Sequence, residues 1–194
     1  MNPPAQGPRV MPLEPPYTPE IDEQLSRWMP PGAEVEPLGL FRTLIVHDGL
    51  AARMRPLGAG ILGGAAKVPP RLREVMIERT CALTGAEYEW GVHAAAFGAA
   101  VGLTDEHLRS TVLGSPEDEC WDGEESAVMS LADELHHSSA ISKELWERLS
   151  SRFDSEQIIE LIVTAGWYHV IGYLCSGLDI ELEPWAARFP EPAS

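Results

Sequence analysis

Apolar residues recur at intervals of three and four along most of this chain. No segment alternates with period two over a convincing length, so the pattern predicts an all-α protein. The first residues stand apart: Pro3, Pro4, Pro8, Pro12, Pro15 and Pro16 deny them a regular helix and predict an extended arm. A short helix, Asp22 to Trp28, follows and stops at Pro30-Pro31. Leu38 to Val46 is apolar at Leu40, Leu44 and Ile45. Asp48 is placed to cap a helix through Leu50, Met54, Leu57 and Ile61 that ends at Gly63-Gly64, with a kink or break at Pro56.

Pro69-Pro70 open a stronger helix, Arg71 to Leu83, whose apolar row runs Leu72, Val75, Met76 and Leu83 with Arg79 inside it. Thr84-Gly85 ends it. Glu87 to Val101, rich in alanine and closed by Gly102, reads as the next helix, and Thr104 caps a short one through Leu108. Asp122 to His137 turns Val128, Leu131, Ala132 and Leu135 inward; Ser142 caps Lys143 to Phe153; Asp154 or Ser155 caps a final helix from Gln157 to Leu178. That last helix is apolar nearly all round, which predicts burial at the centre or against another subunit.

The 194 residues suit one domain with a sizeable core. No stretch approaches the ~20 uninterrupted apolar residues of a membrane span, and the proline-rich start is no signal peptide. The expected setting is the cytoplasm. A net charge of -16, from 14 basic and 30 acidic residues, disfavours nucleic acid as a partner. It leaves room for a small anionic substrate in a locally basic pocket. Cys81, Cys120 and Cys175 form no Cys-x-x-Cys, so thiol redox chemistry and a zinc knuckle are not expected. The histidines offer no ligand spacing, and no metal site is expected.

Glu89 and His93 are four apart on one helix and share a face, the arrangement of a general acid–base pair in which the ring titrates near neutral pH. Spacing alone favours the plainer reading, a surface Glu–His pair beside buried aromatics. Tyr88 and Trp90 flank them as candidate pocket walls. On the preceding helix Glu74 and Glu78 repeat at the same interval, and a solvated face suits Glu78. Arg79 fits its apolar row poorly; it either binds a substrate carboxylate bidentately or holds an acidic partner. His136-His137 suit a helix C-terminus, and Trp167, Tyr168 and His169 lie unassigned in the last helix.

The stretches Arg73-Glu74-Val75-Met76-Ile77-Glu78-Arg79 and Thr84-Gly85-Ala86-Glu87-Tyr88-Glu89-Trp90-Gly91-Val92-His93 resemble the carboxymuconolactone decarboxylase-like proteins, which share the alkylhydroperoxidase-D fold. Ala132-Asp133-Glu134-Leu135-His136, with Ile141, Trp146, Gly166, Tyr168 and His169, extends the resemblance over Leu38 to Pro184. In the redox branch of that family a glutamate precedes Cys-x-x-Cys and a histidine follows it. By position the glutamate falls on Glu74, the histidine on His93, and the two cysteines on Ala86 and Glu89. Both reactive thiols are therefore missing.

The resemblance implies a bundle of about six or seven helices, assembled as a trimer or hexamer, over residues 38–184. Residues 1–37 are an arm with one short helix and 185–194 a tail. It implies a cofactor-free lyase or isomerase acting on a small carboxylated, lactone-like or enolisable compound, as in aromatic catabolism. His93, Glu89 and Glu74 are its expected catalytic residues, and Arg79, Tyr88 and Trp90 its substrate-binding ones. A non-catalytic ligand-binding protein on the same fold is the alternative, and a residual peroxidase using Cys81 a weaker one.

Overall fold

The computed structural model describes residues 7–30 and 35–192, and among them every regular element is helical. The arm around Pro3 and Pro4, and the stop at Pro31, lie outside the described residues. Helix α1 (Pro19–Trp28) starts ahead of Asp22, because Thr18 accepts from the Ile21 amide and Pro19 fits the first turn. Helix α2 (Gly39–Leu44) runs through a 3-10 turn, Ile45–His47, into α3 (Asp48–Leu62). Asp48 is the first helical residue rather than the cap; its carboxylate takes the neighbouring Gly49 amide at 2.6 Å. Nor does Pro56 break α3. Ala52, whose carbonyl loses its partner to the proline, is exposed and can be satisfied by water.

Helix α4 (Pro70–Leu83) follows the predicted pattern, and Gly85, at φ 66°, makes the tight turn that sends α5 (Glu87–His93) back beside it. The rod predicted from Glu87 to Val101 is not uniform. It widens into a π turn at Ala94–Gly98, immediately after His93, then tightens at Ala99–Val101 and stops at Gly102. Helices α6 (Asp105–Leu113), α7 (Gly123–Ser138) and α9 (Ser155–Gly177) each open on a reciprocal capping box, formed by Thr104 with His107, Asp122 with Glu125, and Asp154 with Gln157. Helix α8 (Lys143–Ser150), capped by Ser142, ends before the predicted Phe153.

Helix α4 is the axis of the bundle and packs against α5, α6, α7 and α9. On one side Ile77 and Cys81 join Tyr88, Trp90, Tyr168 and Ile171. On the other Leu72, Val75 and Met76 join Val128, Leu131, Leu149 and Leu161. A helix with neighbours all round has no solvent face, so every residue from Glu74 to Cys81 is buried, charged ones included. Glu78, which its sequence context suggests is solvated, is 0% exposed.

The two ends of the chain hold this core from outside. Arg9 and Leu13 hydrogen-bond through their amides to Leu178 and Arg42, and Leu25 of α1 is fully buried. After α9 the chain crosses α5 as a strap, with the Ala187 amide on the Gly91 carbonyl at 3.0 Å and Phe189 against Trp90. Helix α9 is long and apolar enough to cross a membrane by length and composition, yet half of its most apolar stretch is buried in the bundle. Its apolar girth splits: Leu161, Ala165, Tyr168 and Ile171 face the core, while Ile159, Val163, Val170 and Tyr173 are exposed.

Candidate active site

The short turn at Thr84–Ala86 folds α5 against α4, and this brings Glu74 opposite His93. The Glu74 carboxylate accepts from His93 Nδ1 at 2.7 Å. The other ring nitrogen, Nε2, lies 3.1 Å from the Tyr168 hydroxyl on α9 and 3.5 Å from Glu89 Oε1 one turn back on α5. Tyr168 meets the ring edge-on with centroids 5.2 Å apart, and Phe97, in the π turn, lies at 5.0 Å. Arg73 Nε stands 3.7 Å from Glu74 Oε1. Three helices thus converge on one imidazole that is only 3% exposed.

Burial opposes charging this ring, but Glu74, by its charge and its hydrogen bond, and Glu89 outweigh it and raise the His93 pKa to about 10. The spacing of Glu89 and His93 suggests a ring titrating near neutral pH. The structure instead surrounds it with enough carboxylate to keep it an imidazolium there, which makes it an acid. Glu89 retains one oxygen, Oε2, with no hydrogen-bond partner among the described residues.

Of the residues expected to form the site, Glu74, Glu89 and His93 come together. Tyr88 and Trp90 point elsewhere, because flanking positions on a helix are about 100° away from the intervening one. The Tyr88 hydroxyl donates to Glu183 at 2.6 Å and takes the Leu40 amide, while Trp90 donates to Thr111 and packs on Phe189. Both belong to the contact between α5 and its surroundings rather than to the walls around His93. Arg79 makes a two-pronged pair with Asp133, at 2.6 and 3.0 Å, and donates to the Thr111 and Gly114 carbonyls. None of these contacts is with the Glu74–His93 group. The structural one of its two readings describes this geometry, and the guanidinium beside Glu74 is that of Arg73.

Tyr168, Arg73 and Phe97 were not among the expected site residues. Tyr168 lay in the Trp-Tyr-His run of the last helix, a visible signal with no assignable partner. His169 of that run pairs with His136, Nε2 to Nδ1 at 3.1 Å, and uses its own Nδ1–H on the Ala165 carbonyl. Cys81 is 0% exposed, and burial together with nearby Glu89 and Glu78 pushes its thiol well above the ordinary range, so it is no ready nucleophile. Among the described residues no group of three or more His, Cys, Asp or Glu side chains is arranged to hold a metal ion. Two surface hollows, of about 460 and 620 Å³, lie around Asp133–Arg148 and around Ser110–Cys120, away from His93.

No protein-family model matches the chain, and no curated protein matches it in sequence. Solved structures do. An uncharacterized peroxidase-related protein from Silicibacter sp. TM1040 superimposes with a TM-score of 0.79 at 13% identity, over 95% of this chain and 96% of its own. The debrominase Bmp8, in a C82A form bound to 2,3,4-tribromopyrrole, gives 0.74 at 17% identity over 93% and 94%. A protein of unknown function from Agrobacterium tumefaciens, described as a putative antioxidant defence protein AhpD, gives 0.65 at 13% over 72% and 94%. At these identities the likeness establishes the fold: the chain has the helical alkylhydroperoxidase-D architecture, which its sequence resemblance predicts. One of these neighbours is an enzyme.

Proposed function

We propose that this chain is a cofactor-free acid–base enzyme of the lyase or isomerase type, acting on a small carboxylated, lactone-like or otherwise enolisable compound. The observation that carries this reading is the buried His93 ring held between two carboxylates. His93 is fixed through Nδ1 by Glu74 and presents Nε2 between Tyr168 and Glu89, whose second oxygen has no partner among the described residues. In such a reaction a carboxylate takes a proton next to a carbonyl, or carbon dioxide leaves, and the resulting enolate must be protonated. Glu89 suits the first task and His93 Nε2–H the second, with Glu74 orienting the ring and stabilising its charge. Arg73 takes the place that Arg79 was expected to fill as the cation of the site. A thiol mechanism is disfavoured, because Ala86 and Glu89 stand where the redox branch carries its cysteines and Cys81 is sealed in the core.

We place the protein in the cytoplasm as a homo-oligomer, with the exposed face of α9 as the contact. The test is turnover across a panel of lactones and β-keto acids. His93→Ala and Glu89→Gln are expected to lower kcat by 10²-fold or more while helicity and oligomeric state stay as in the wild type, with His93→Ala losing stability along with its ion pair; normal turnover in both variants rejects these roles. A second reading, a ligand-binding protein without turnover, is favoured by how closed the site is, with Glu74 and His93 1% and 3% exposed. Ligand binding by the wild type with no product from any panel member selects it.

A further inference from the structure

Glu78 lies one turn beyond Glu74 on α4, is 0% exposed, and takes no part in the chemistry above. Among the described residues neither of its carboxyl oxygens has a hydrogen-bond partner. Four buried side-chain polar atoms are unpartnered among the described residues: Glu89 Oε2 and Arg73 Nε, whose side chains touch His93 and Glu74, and both oxygens of Glu78, on which the charges of His93, Glu74 and Glu89 act. Elsewhere buried polar groups are paired, as Arg79 is with Asp133, so the concentration here calls for a chemical reason.

The charge state follows from the surroundings. Glu74 and Glu89 face His93 and Arg73, two potential anions against two cations. A third carboxylate with no donor near it would add an uncompensated charge in a dry interior. Desolvation, reinforced by Glu74 and Glu89 and only partly offset by His93, pushes the Glu78 carboxyl well above its ordinary range. A neutral carboxylic acid differs from a carboxylate in one useful respect: it is a hydrogen-bond donor. Burying a carboxyl to keep it protonated is an established way of aiming a donor at a developing oxyanion.

We propose that Glu78 is a neutral carboxylic acid whose free O–H donates to the carbonyl oxygen of an enolisable substrate, holding the oxyanion while Glu89 and His93 exchange protons with carbon. This rests on the acid–base reading above and narrows its substrate class to compounds with a carbonyl next to the reacting carbon. The C–H bond breaks to the Glu89 carboxylate, which becomes an acid; the C–H electron pair forms the C=C bond of the enolate while the carbonyl π pair moves to oxygen. Protonation of carbon by His93 restores the C=O bond and leaves the ring neutral, with no oxidant or reductant required. Glu78 keeps its own proton throughout.

The protonation state is tested without any substrate, by infrared difference spectroscopy of protein labelled with ¹³C-carboxyl glutamate. A protonated-carboxyl band at neutral pH that disappears in Glu78→Gln is expected. Absence of that band in the wild type overturns the proposal. Donation is tested with 4-nitrophenol as oxyanion probe, read by its absorbance. The wild type is expected to bind the phenolate, Glu78→Gln, which keeps an N–H donor, a few-fold more weakly, and Glu78→Leu at least tenfold more weakly. No binding by the wild type, or equal binding by Glu78→Leu, overturns the donor role. Should Glu78→Gln not fold, Glu78→Leu serves both comparisons. Because neither arm uses turnover, loss of this proposal and loss of the acid–base reading are separately visible.

Discussion

His93 is held by two carboxylates that come from opposite directions, and its protonation is therefore tied to folding. In the unfolded chain the ring titrates at about 6.5; in the fold Glu74 and Glu89 raise it to about 10. The folded state binds this proton more tightly, so the associated stability is fully present below the unfolded value and is lost as pH rises through the folded one. Its size is on the order of a few kcal/mol. Urea unfolding at pH 7 and pH 10.5 is expected to show a larger loss of stability in the wild type than in His93→Gln, which lacks the titrating ring. Parallel losses in the two proteins contradict a charged His93. Lysines and tyrosines titrating over the same range are common to both and cancel in the comparison.

At the scale of elements, the strap after α9 depends on one residue without a side chain. A Cβ on Gly91 would sit 2.2 Å from the Ala187 carbonyl oxygen and 3.4 Å from the Ala186 methyl, so the strap and α5 cannot both keep their places. Gly91→Ala is expected to destabilise by about 1–3 kcal/mol and to expose Ala187 and Phe189, which hydrogen exchange at their amides would report. Unchanged stability and protection would show that the strap is not a fixed part of the core. Helix boundaries were largely legible, because the caps at Thr104, Asp122, Ser142 and Asp154 are local chemistry. The faces of α4 were not. Periodicity separates inside from outside only when a helix has an outside, and α4 has none. Hence Glu78 looked solvated, and Arg79 rather than Arg73 stood out as the misplaced cation. The Glu89–His93 relation is a helical spacing and could be read directly; Glu74 came only from the motif resemblance. Tyr168 is 75 residues from His93, and no local pattern announces their contact.

Across the whole molecule, the net charge of -16 sets copies to repel one another, which an apolar face best offsets in the proposed homo-oligomer. Helix α9 offers one: Ile159, Val163, Gly166, Val170 and Tyr173 recur at intervals of three and four on its exposed side. The backbone beside Gly166 is open, with nothing within 4 Å of where a Cβ would stand, so a second helix can approach closely. Tyr173→Glu, which puts another charge on this face, is expected to shift the protein toward monomer in sedimentation velocity without loss of helicity. A wild type that is already monomeric at micromolar concentration would remove the interface from the account.

The proposed chemistry turns on one ring and its charge. The ¹⁵N chemical shifts of the His93 imidazole, followed by NMR from pH 5 to pH 11, read that charge directly. Both nitrogens are expected to be protonated at pH 7.5, with deprotonation only near pH 10 and a clear downward shift of that midpoint in Glu74→Gln. A ring that is neutral at pH 7.5 and titrates near 6.5 in both proteins contradicts a charged His93.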